Sequence, residues 1–499
     1  MTPSGSSPSA SLQNDLIARA RAAKAATIDS AALEKTLREN LSGEVRFDDG
    51  SRALYAADGS SYRQVPIGVV IPRDVDDVIA TLTVCRQFGA PLLCRGGGTS
   101  LAGQCCNVAV VMDFSKYMAD ILEIDPERRI ARVQPGVILD HLRAAAEKHH
   151  LTFALDPATH DRCTLGGMVG NNSCGVHSVM AGKTDDNIEA LEILTYDGCR
   201  MKVGQTSSEE LESVVRQGGR RGEIYRKLKT IAATYGELVR QRYPNIPRRV
   251  SGYNLNYLLP ENGFHVARAL VGSEGTCATI LEATCRLVES PPERVLLVVA
   301  YPDIYQCADR VPEIMAHKPI GLEGVDDLLV EYTRRKGLSS DGLALLPPGG
   351  GWLFVEFGAD SAHEAEAQAH RLMEALGRSS QPAEMRLFVN KQQVKTVWEV
   401  RESSLGAISH VPGEPLTWEG WEDSAVAPDK LGNYLRDLRK LMAGYGYRGV
   451  LYGHFGHGCV HTRINFDMQS KEGIHKYRQF VEEAADLVVG YGGSLSGEH

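Results

Sequence analysis

The chain has 499 residues, of which 43% are hydrophobic and 23% are charged, and its formal net charge is −9. This length predicts two or three domains, and the composition is that of an ordinary globular protein. The net negative charge argues against nucleic acid as the main partner. No apolar stretch reaches the roughly 18 residues of a membrane span, and the first residues lack the apolar core of a secretory signal. We therefore expect a cytoplasmic protein, with peripheral contact to the inner membrane left open.

The eleven cysteines contain no Cys-x-x-Cys pair. This spacing argues against a disulfide framework, a zinc finger and an iron–sulfur motif within the chain. We interpret the cysteines as reduced, mostly buried thiols, in keeping with the expected cytoplasmic location.

The N-terminal part, residues 1–44, is predicted to be a Ser/Pro-rich tail followed by one helix capped by Asp29 or Ser30. An apolar strand at 67–72, a helix starting at Asp74 and a second buried strand at 90–94 then predict a βαβ unit. This unit leads directly into the segment RGGGTSLAGQ. Two hairpins are predicted further on, around Pro126 and around Asp197–Gly198.

A different pattern begins near residue 290. Three later segments each predict a strand, a turn and a helix; they start with VLLVVAYPD, LFVEFGADS and SAVAPDKLG. This repetition predicts an α+β domain with an antiparallel sheet and helices on one face. We therefore expect one domain over residues 45–290 and a second over residues 291–499.

The segment RGGGTSLAGQ, residues 95–104, suits a phosphate, because successive glycine N–H groups can point into one concavity. A tight strand-to-helix turn explains the same glycines equally well. Two known phosphate motifs fail here: Gln104 stands where a Walker A loop needs lysine, and Leu101 interrupts the Rossmann spacing. AGKT at 181–184 has the lysine, but position 177 is histidine where the first glycine of that motif belongs.

Two further glycine-rich segments strengthen the cofactor interpretation. They are TLGGMVGNNSCG at 164–175 and VGSEGTCATILEAT at 271–284. Three such segments in one predicted domain indicate a large ligand that has two phosphates and ring systems.

The segment YGHFGHGCVHTRI contains three histidines. If His457–Gly458 is the turn of a hairpin, His454 and His461 face each other with Cβ atoms roughly 5 Å apart, and His457 lies away from them. Two imidazoles at that spacing can share a divalent metal, although a hairpin with surface histidines fits the pattern too. A metal site would need a third ligand.

Four motifs occur in one order along the chain: the loop after Arg95, GGMVGNN, GSEGT, and HFGHGCVH with a terminal SGEH. Together they resemble the vanillyl-alcohol-oxidase/PCMH family of FAD enzymes, and most closely its D-lactate and D-2-hydroxyglutarate dehydrogenase branch. The resemblance covers roughly residues 45–499. It implies an α+β fold with a PCMH-type FAD-binding domain of two α/β subdomains, followed by an α+β cap domain.

The resemblance also implies site residues. FAD is expected to be non-covalent, because Thr99 stands where covalent members often have histidine. The implied cofactor residues are Arg95, Gly96, Gly97, Gly98, Thr99, Ser100, Pro157, Thr164, Gly166, Gly167, Asn171, Asn172, Ser173, Gly175, Gly272, Glu274 and Gly275. The implied ligands of a divalent metal, expected to be zinc, are His454, His461 and Glu498, with His499 as general base. The resembling branch has Asp and Asn where this chain has His457 and Cys459.

Arg401 is the expected anchor of the substrate carboxylate, because a guanidinium can bind a carboxylate with two parallel hydrogen bonds. The alternative for Arg401 is an ion pair on a helix surface. A larger diacid would need a second cation, for which Arg248 and Arg249 are candidates.

These residues predict an FAD- and metal-dependent dehydrogenase of D-2-hydroxy acids. Its electron acceptor, whether quinone, cytochrome or another flavoprotein, is not encoded in any motif. An O2-using oxidase of the same fold stays open, as does a non-catalytic flavin-binding subunit. A zinc hydrolase would leave the three glycine-rich segments unexplained.

The chain stops directly after the proposed metal ligand Glu498 and the proposed base His499. Such residues need a supporting shell and a fixed backbone. We therefore expect the natural chain to extend beyond His499, with room for an electron-relay module such as a C-terminal iron–sulfur domain.

Overall fold

The computed structural model describes residues 27–379 and 383–498. The predicted Ser/Pro-rich tail at the N-terminus lies outside them. Three main β-sheets follow one another along the chain. Within the described residues, every helix is too short or too polar to cross a lipid bilayer.

The first sheet has four strands in the order β1-β2-β4-β3, with β4 parallel to both of its neighbours. Its elements are α1 Ser30–Asn40, β1 Glu44–Arg46, α2 Asp49–Leu54, β2 Gly68–Ile71, α3 Val75–Gln87, β3 Leu92–Arg95 and β4 Val110–Asp113. The predicted capping is confirmed: Asp74 accepts a hydrogen bond from Asp77 N at 3.0 Å, and Gly89 ends α3 with a φ of 65°. Helix α3 thus connects β2 to β3 and directs the chain into the first glycine-rich loop.

The second sheet has five antiparallel strands in the order β5-β6-β10-β8-β9, and β7 pairs with β11 beside it. Its strands are β5 Ile121–Asp125, β6 Ile130–Val133, β7 Leu151–Thr152, β8 Ile188–Leu194, β9 Arg200–Gly204, β10 Thr279–Arg286 and β11 Val288–Glu289. Its helices are α4 Leu139–Ala146, α5 Leu165–Asn171, α6 Ser178–Ala181, α7 Ser208–Gln217, α8 Gly219–Arg242 and α9 Val266–Leu270. Both predicted hairpins, β5–β6 and β8–β9, are confirmed.

The third sheet has seven strands in the order β15-β12-β14-β13-β17-β18-β16, all paired antiparallel. Its strands are β12 Glu293–Tyr301, β13 Gly321–Asp326, β14 Gly351–Ala359, β15 Glu384–Phe388, β16 Asp423–Ala425, β17 Gly449–Gly453 and β18 Cys459–Ile464. Its helices are α10 Ile304–Asp309, α11 Val311–Met315, α12 Asp327–Arg335, α13 Ser340–Leu345, α14 Ala362–Gly377, α15 Lys391–Glu402, α16 Ser404–Ile408, α17 Leu431–Gly444 and α18 Lys471–Gly490. The three predicted strand–turn–helix segments correspond to β12–α10, β14–α14 and β16–α17.

The α+β class is confirmed, but helices cover both faces of the third sheet rather than one. Val295, Leu297 and Val299 of β12 belong to the core shared with α10, α14, α17 and α18. The alternate residues Leu296 and Val298 belong to a second core, shared with α12 and α15. The physical reason is visible in the sequence, because an unbroken apolar run indicates a strand buried on both faces. The domain division near residue 290 stays a prediction; it falls between β11 and β12.

Candidate functional site

A cavity of about 470 Å³ lies where the loops beside the first two sheets meet the third sheet. Its lining runs from Gly96 and Thr164 on one side to Arg401, His454 and Glu498 on the other. The cavity therefore brings the predicted cofactor segments and the predicted metal ligands into one cleft.

A narrower compartment continues this cleft. The two compartments share lining residues, among them Gly96 and Gly167, and the narrow one also has apolar walls that include Pro135, Leu270 and Ile280. A cleft that is lined by glycine-rich loops and continues between apolar walls suits a long ligand that combines phosphates with rings.

The glycines of the first loop are required by packing against the protein itself. A Cβ on Gly96 would lie 2.0 Å from Thr164 Oγ1, and a Cβ on Gly97 would lie 2.3 Å from the Arg162 carbonyl oxygen. Gly98 has a φ of 66°, which favours glycine. The turn interpretation thus explains the residue type, while the position of the loop in the cleft supports a ligand.

Most of the predicted cofactor residues line the cleft. Those in the lining are Arg95, Gly96, Gly97, Gly98, Thr99, Ser100, Pro157, Thr164, Gly166, Gly167, Asn171, Ser173, Glu274 and Gly275. The guanidinium of Arg95 is used inside the loop, where Nη1 donates to the Cys105 carbonyl at 3.1 Å and Nη2 to the Ala57 carbonyl at 2.9 Å. Asn172, Gly175 and Gly272 are not among the residues that line the cleft, and their roles as cofactor contacts stay predictions.

The histidine hairpin has a different register from the predicted one. Tyr452, not His454, pairs with His461, and a short 3-10 helix over Phe455–His457 replaces the two-residue turn. The error equals two residues, and side chains on a strand alternate with a period of two. His454 and His461 therefore still lie on the same face, with ring centroids 5.0 Å apart.

These two histidines converge on one carboxylate oxygen. Oε2 of Glu498 lies 2.9 Å from His454 Nε2 and 3.1 Å from His461 Nε2. All three residues are buried, and their candidate ligand atoms lie within 4.8 Å of one another. Two imidazoles and a carboxylate form a donor set that suits zinc and leaves positions for a substrate. A second such group, Asp423, Cys459 and His461, shares His461 with the first.

Glu323 of β13 joins this cluster and was missed by the sequence analysis. Its Oε1 lies 2.7 Å from His454 Nδ1 and its Oε2 accepts a hydrogen bond from Arg401 Nε at 2.9 Å. A buried carboxylate behind a histidine orients the ring and increases its basicity. The available signal was an acidic residue inside the otherwise uncharged strand segment GLEGV.

The electrostatics of the cluster favour charged groups despite burial. Burial alone would raise the pKa of Glu498, but the charge of His454 and hydrogen bonds from both histidines hold that pKa well below its ordinary value. Burial would likewise lower the pKa of His454, but the carboxylates of Glu323 and Glu498 raise it. The cluster therefore pairs the carboxylates of Glu323 and Glu498 with a His454 imidazole whose charged form they favour.

Arg401, on α15, lines the same cleft and is buried. Its Cζ lies 4.9 Å from the ring centroid of Tyr452. Arg401 donates a hydrogen bond from Nε to Glu323. Among the described residues, this bond leaves both Nη groups of Arg401 for a ligand. The alternative of a surface ion pair is wrong, because the residue is buried beside the candidate metal ligands.

A second buried histidine, His177, forms another part of the cleft wall. Its Nδ1 lies 2.5 Å from Asp156 Oδ2 and its Nε2 lies 2.6 Å from Glu356 Oε2. Trp398 Nε1 donates to Glu356 Oε1 at 3.2 Å, and Arg294 Nη1 lies 3.7 Å from Glu356 Oε2. Burial opposes the charged form, but the two carboxylates outweigh it and raise the pKa of His177 to about 10.

The other predicted site residues are placed differently. Arg248 is wholly buried, with Nη2 donating to the Gly175 carbonyl at 2.7 Å, and Arg249 hydrogen-bonds Asn254 and Asn256. The contacts of Arg249 are used within the protein, which argues against Arg249 as a second substrate anchor. In contrast, Nε and Nη1 of Arg248 are buried without a hydrogen-bond partner among the described residues, so Arg248 stays a candidate anchor. The proposed base, His499, lies outside the described residues.

Two family models match the chain in order. Residues 66–204 match the FAD binding domain, and residues 290–499 match the C-terminal domain of FAD linked oxidases. The two matches include the glycine-rich loop at 95–104 and the histidine cluster.

Curated relatives cover nearly the whole chain. It is 32% identical over 478 residues to a D-2-hydroxyglutarate dehydrogenase of Pseudomonas putida, with 94% of this chain and 48% of the relative covered. It is 27% identical to glycolate oxidase subunit GlcD of Bacillus subtilis, with 94% and 88% covered. It is 28% identical to a D-lactate dehydrogenase of Archaeoglobus fulgidus, with 86% and 82% covered. The chain spans about half the length of the D-2-hydroxyglutarate dehydrogenases it matches.

Solved structures with low sequence identity share the fold. Alkyldihydroxyacetonephosphate synthase superposes with a TM-score of 0.62 at 15% identity, over 90% of this chain and 77% of that chain. p-Cresol methylhydroxylase superposes with a TM-score of 0.61 at 13% identity, over 94% and 88%. The predicted PCMH-type fold is therefore confirmed.

Proposed function

The chain belongs to the FAD linked oxidases, and from this family we propose that it is an FAD-dependent dehydrogenase that oxidises a D-2-hydroxy acid to the 2-oxo acid. The proposed substrates are of the D-lactate or D-2-hydroxyglutarate class, which the names of two relatives support. FAD is proposed to be held without a covalent bond, because Thr99 rather than histidine lies in the first loop.

One observation carries this proposal: Arg401 and the cluster of His454, His461 and Glu498 lie in the same cleft as the glycine-rich loops. A 2-hydroxy acid presents a carboxylate next to a hydroxyl, so it needs a cationic fork beside a group that binds oxygen. Arg401 offers its Nη groups for the carboxylate, and Glu323 holds the guanidinium in place.

The reaction removes a hydride from the α-carbon and a proton from the hydroxyl. Bound FAD supplies the hydride acceptor, N5 of its ring system. A divalent cation, proposed to be zinc on His454, His461 and Glu498, would supply a Lewis acid that lowers the pKa of the hydroxyl. Glu323 would fix the tautomer of His454 through Nδ1, so that Nε2 points at the site. His499 is proposed to take the hydroxyl proton, since an unperturbed imidazole has a pKa of about 6.5.

The proposal is tested by exposing the FAD-loaded protein, under nitrogen, to D-lactate, D-2-hydroxyglutarate, glycolate and L-lactate. We expect the flavin absorbance to bleach with a D-2-hydroxy acid and to persist with L-lactate. If none of the acids bleaches a flavin that dithionite still reduces, the proposal fails.

Arg401→Lys sharpens this test. It keeps the charge beside Glu323 but loses the bidentate fork, so we expect a higher KM and a lower kcat. Arg436→Lys is the matched control, because Arg436 forms a half-exposed ion pair with Asp309 outside the cleft. Equal kinetics for both variants would remove Arg401 from the site.

A further inference from the structure

The segment AGKTDDN, residues 181–187, resembles the end of a phosphate-binding loop but lacks its first glycine. The structure explains its lysine without a phosphate. Lys183 Nζ lies 3.2 Å from Asp185 Oδ1 and 3.0 Å from Asp186 Oδ2. The lysine is thus paired with carboxylates of its own segment.

Asp185 is wholly buried and holds two asparagines. Its Oδ2 accepts hydrogen bonds from Asn172 Nδ2 at 3.0 Å and from Asn254 Nδ2 at 3.2 Å. The pairing with Asn172 is reciprocal, because the backbone N–H of Asp185 donates to Asn172 Oδ1 at 2.9 Å. Asn172 has a φ of 60°, and this pairing holds it in the left-handed conformation.

The two asparagines connect Asp185 to two different cofactor segments. Asn172 belongs to the segment 164–175. Asn254 also donates to the Val271 carbonyl at 2.9 Å, where the segment 271–276 begins. The two segments contact each other as well, because Gly272 N donates to the Val169 carbonyl and Glu274 N to the Gly170 carbonyl. Asp185 is thereby a common anchor behind two walls of the cleft.

We infer that Asp185 is a positioning residue that sets the affinity for FAD by holding these two segments in register. It lies behind the lining and acts through Asn172 and Asn254. A carboxylate suits this position, because one oxygen can accept from both amides while the other faces Lys183. The inference depends on FAD binding by the family's first domain and not on the identity of the substrate.

The test measures the dissociation constant of FAD, by fluorescence titration of the apoprotein, for the wild type and three variants. Asp185→Asn keeps the shape but turns one acceptor oxygen into a donor, so we expect FAD to bind roughly tenfold or more weakly. Asp186→Asn is the matched control: it removes a charge from the same lysine, but its carboxylate bonds Lys183 and Tyr257 rather than either segment. Its FAD affinity should stay within about twofold of the wild type.

Asn172→Gly keeps the test valid if Asp185→Asn does not fold. Glycine adopts a positive φ freely, so this variant removes the link to Asp185 without backbone strain. We expect weaker FAD binding with little change in the melting temperature of the apoprotein.

Unchanged FAD affinity in Asn172→Gly, or equal losses in Asp185→Asn and Asp186→Asn, would overturn the inference. A loss of melting temperature with unchanged FAD affinity would overturn it too, since that result marks a purely structural role. No substrate enters these measurements, so they stand apart from a failure of the proposed dehydrogenase activity.

Discussion

Two buried histidines in this protein each lie between two carboxylates. His177 lies between Asp156 and Glu356, and His454 lies between Glu323 and Glu498. Both line the same cleft, and in both the neighbouring acids raise the pKa of the imidazole. From the immediate neighbours alone, the two sites look equivalent.

The difference lies in what else reaches the carboxylates. Arg294 and Trp398 contact Glu356, so the His177 cluster pairs buried charges and joins the loop after β7 to β14. At the other site, His461 Nε2 points at the same Glu498 oxygen as His454. Convergence of two imidazoles on one oxygen distinguishes a candidate metal centre from a buried ion cluster.

The largest contrast is expected from removing a histidine at each site. His461→Ala should abolish both metal content and oxidation of the 2-hydroxy acid, because it removes a proposed ligand. His177→Gln should keep the metal at His454, His461 and Glu498, because His177 is not a proposed ligand. Elemental analysis and turnover of both variants check this contrast, and a metal content in His461→Ala equal to that of the wild type would contradict it.

Glu323→Gln should produce a smaller loss at the metal site. Glu323 contacts His454 and Arg401 but is not a proposed ligand, so the metal affinity should fall by roughly 10–100-fold. The measurement is a competition titration with a chelator. An affinity equal to that of the wild type would mean that His454 does not need this partner.

Glu356→Gln should instead affect stability. It leaves the buried charge of His177 opposed by Asp156 alone and removes a carboxylate partner of the half-buried Arg294, so the free energy of unfolding should fall by about 3–5 kcal/mol. Glu374→Gln is the control, since Glu374 forms an exposed ion pair with Arg378 and should change little. Denaturant unfolding measures both variants, and equal stabilities would show that the His177 cluster contributes nothing.

The last contrast concerns pH. The pKa of His177 is about 10 in the folded protein and about 6.5 in an unfolded chain. A raised folded pKa contributes stability fully below the unfolded value and loses it as pH rises through the folded value. The wild type should therefore lose more stability than His177→Gln between about pH 7 and pH 10. Parallel stability curves for the two proteins would refute this assignment.

The sequence predicted the parts of the fold that depend on local patterns. The cap at Asp74, the two hairpins and the three strand–turn–helix segments all follow from neighbouring residues. The turn and register of the histidine hairpin were predicted wrongly, yet the proximity of His454 to His461 was predicted correctly, because a shift of two residues preserves the face of the strand.

The parts that the sequence did not predict depend on tertiary contacts. Glu323 and Glu356 are acids in apolar strands, and only the packing of other elements shows which histidine each one meets. Asn172 and Gly272 belong to motifs of the cofactor segments, but only the structure shows that Asn172 pairs with the buried Asp185 and that Gly272 N donates to the Val169 carbonyl. Motifs thus identified segments that line the cleft, while the partners of each residue required the structure.

The central claim is that His454, His461 and Glu498 hold a metal that the oxidation of a 2-hydroxy acid requires. The most direct measurement is the rate of flavin reduction by the D-2-hydroxy acid under nitrogen, before and after chelation and after zinc is restored. FAD must stay bound throughout, which the flavin spectrum verifies. We predict that chelation stops flavin reduction and that zinc restores it in the wild type but not in His461→Ala. Flavin reduction at an unchanged rate in the chelated protein would contradict the claim.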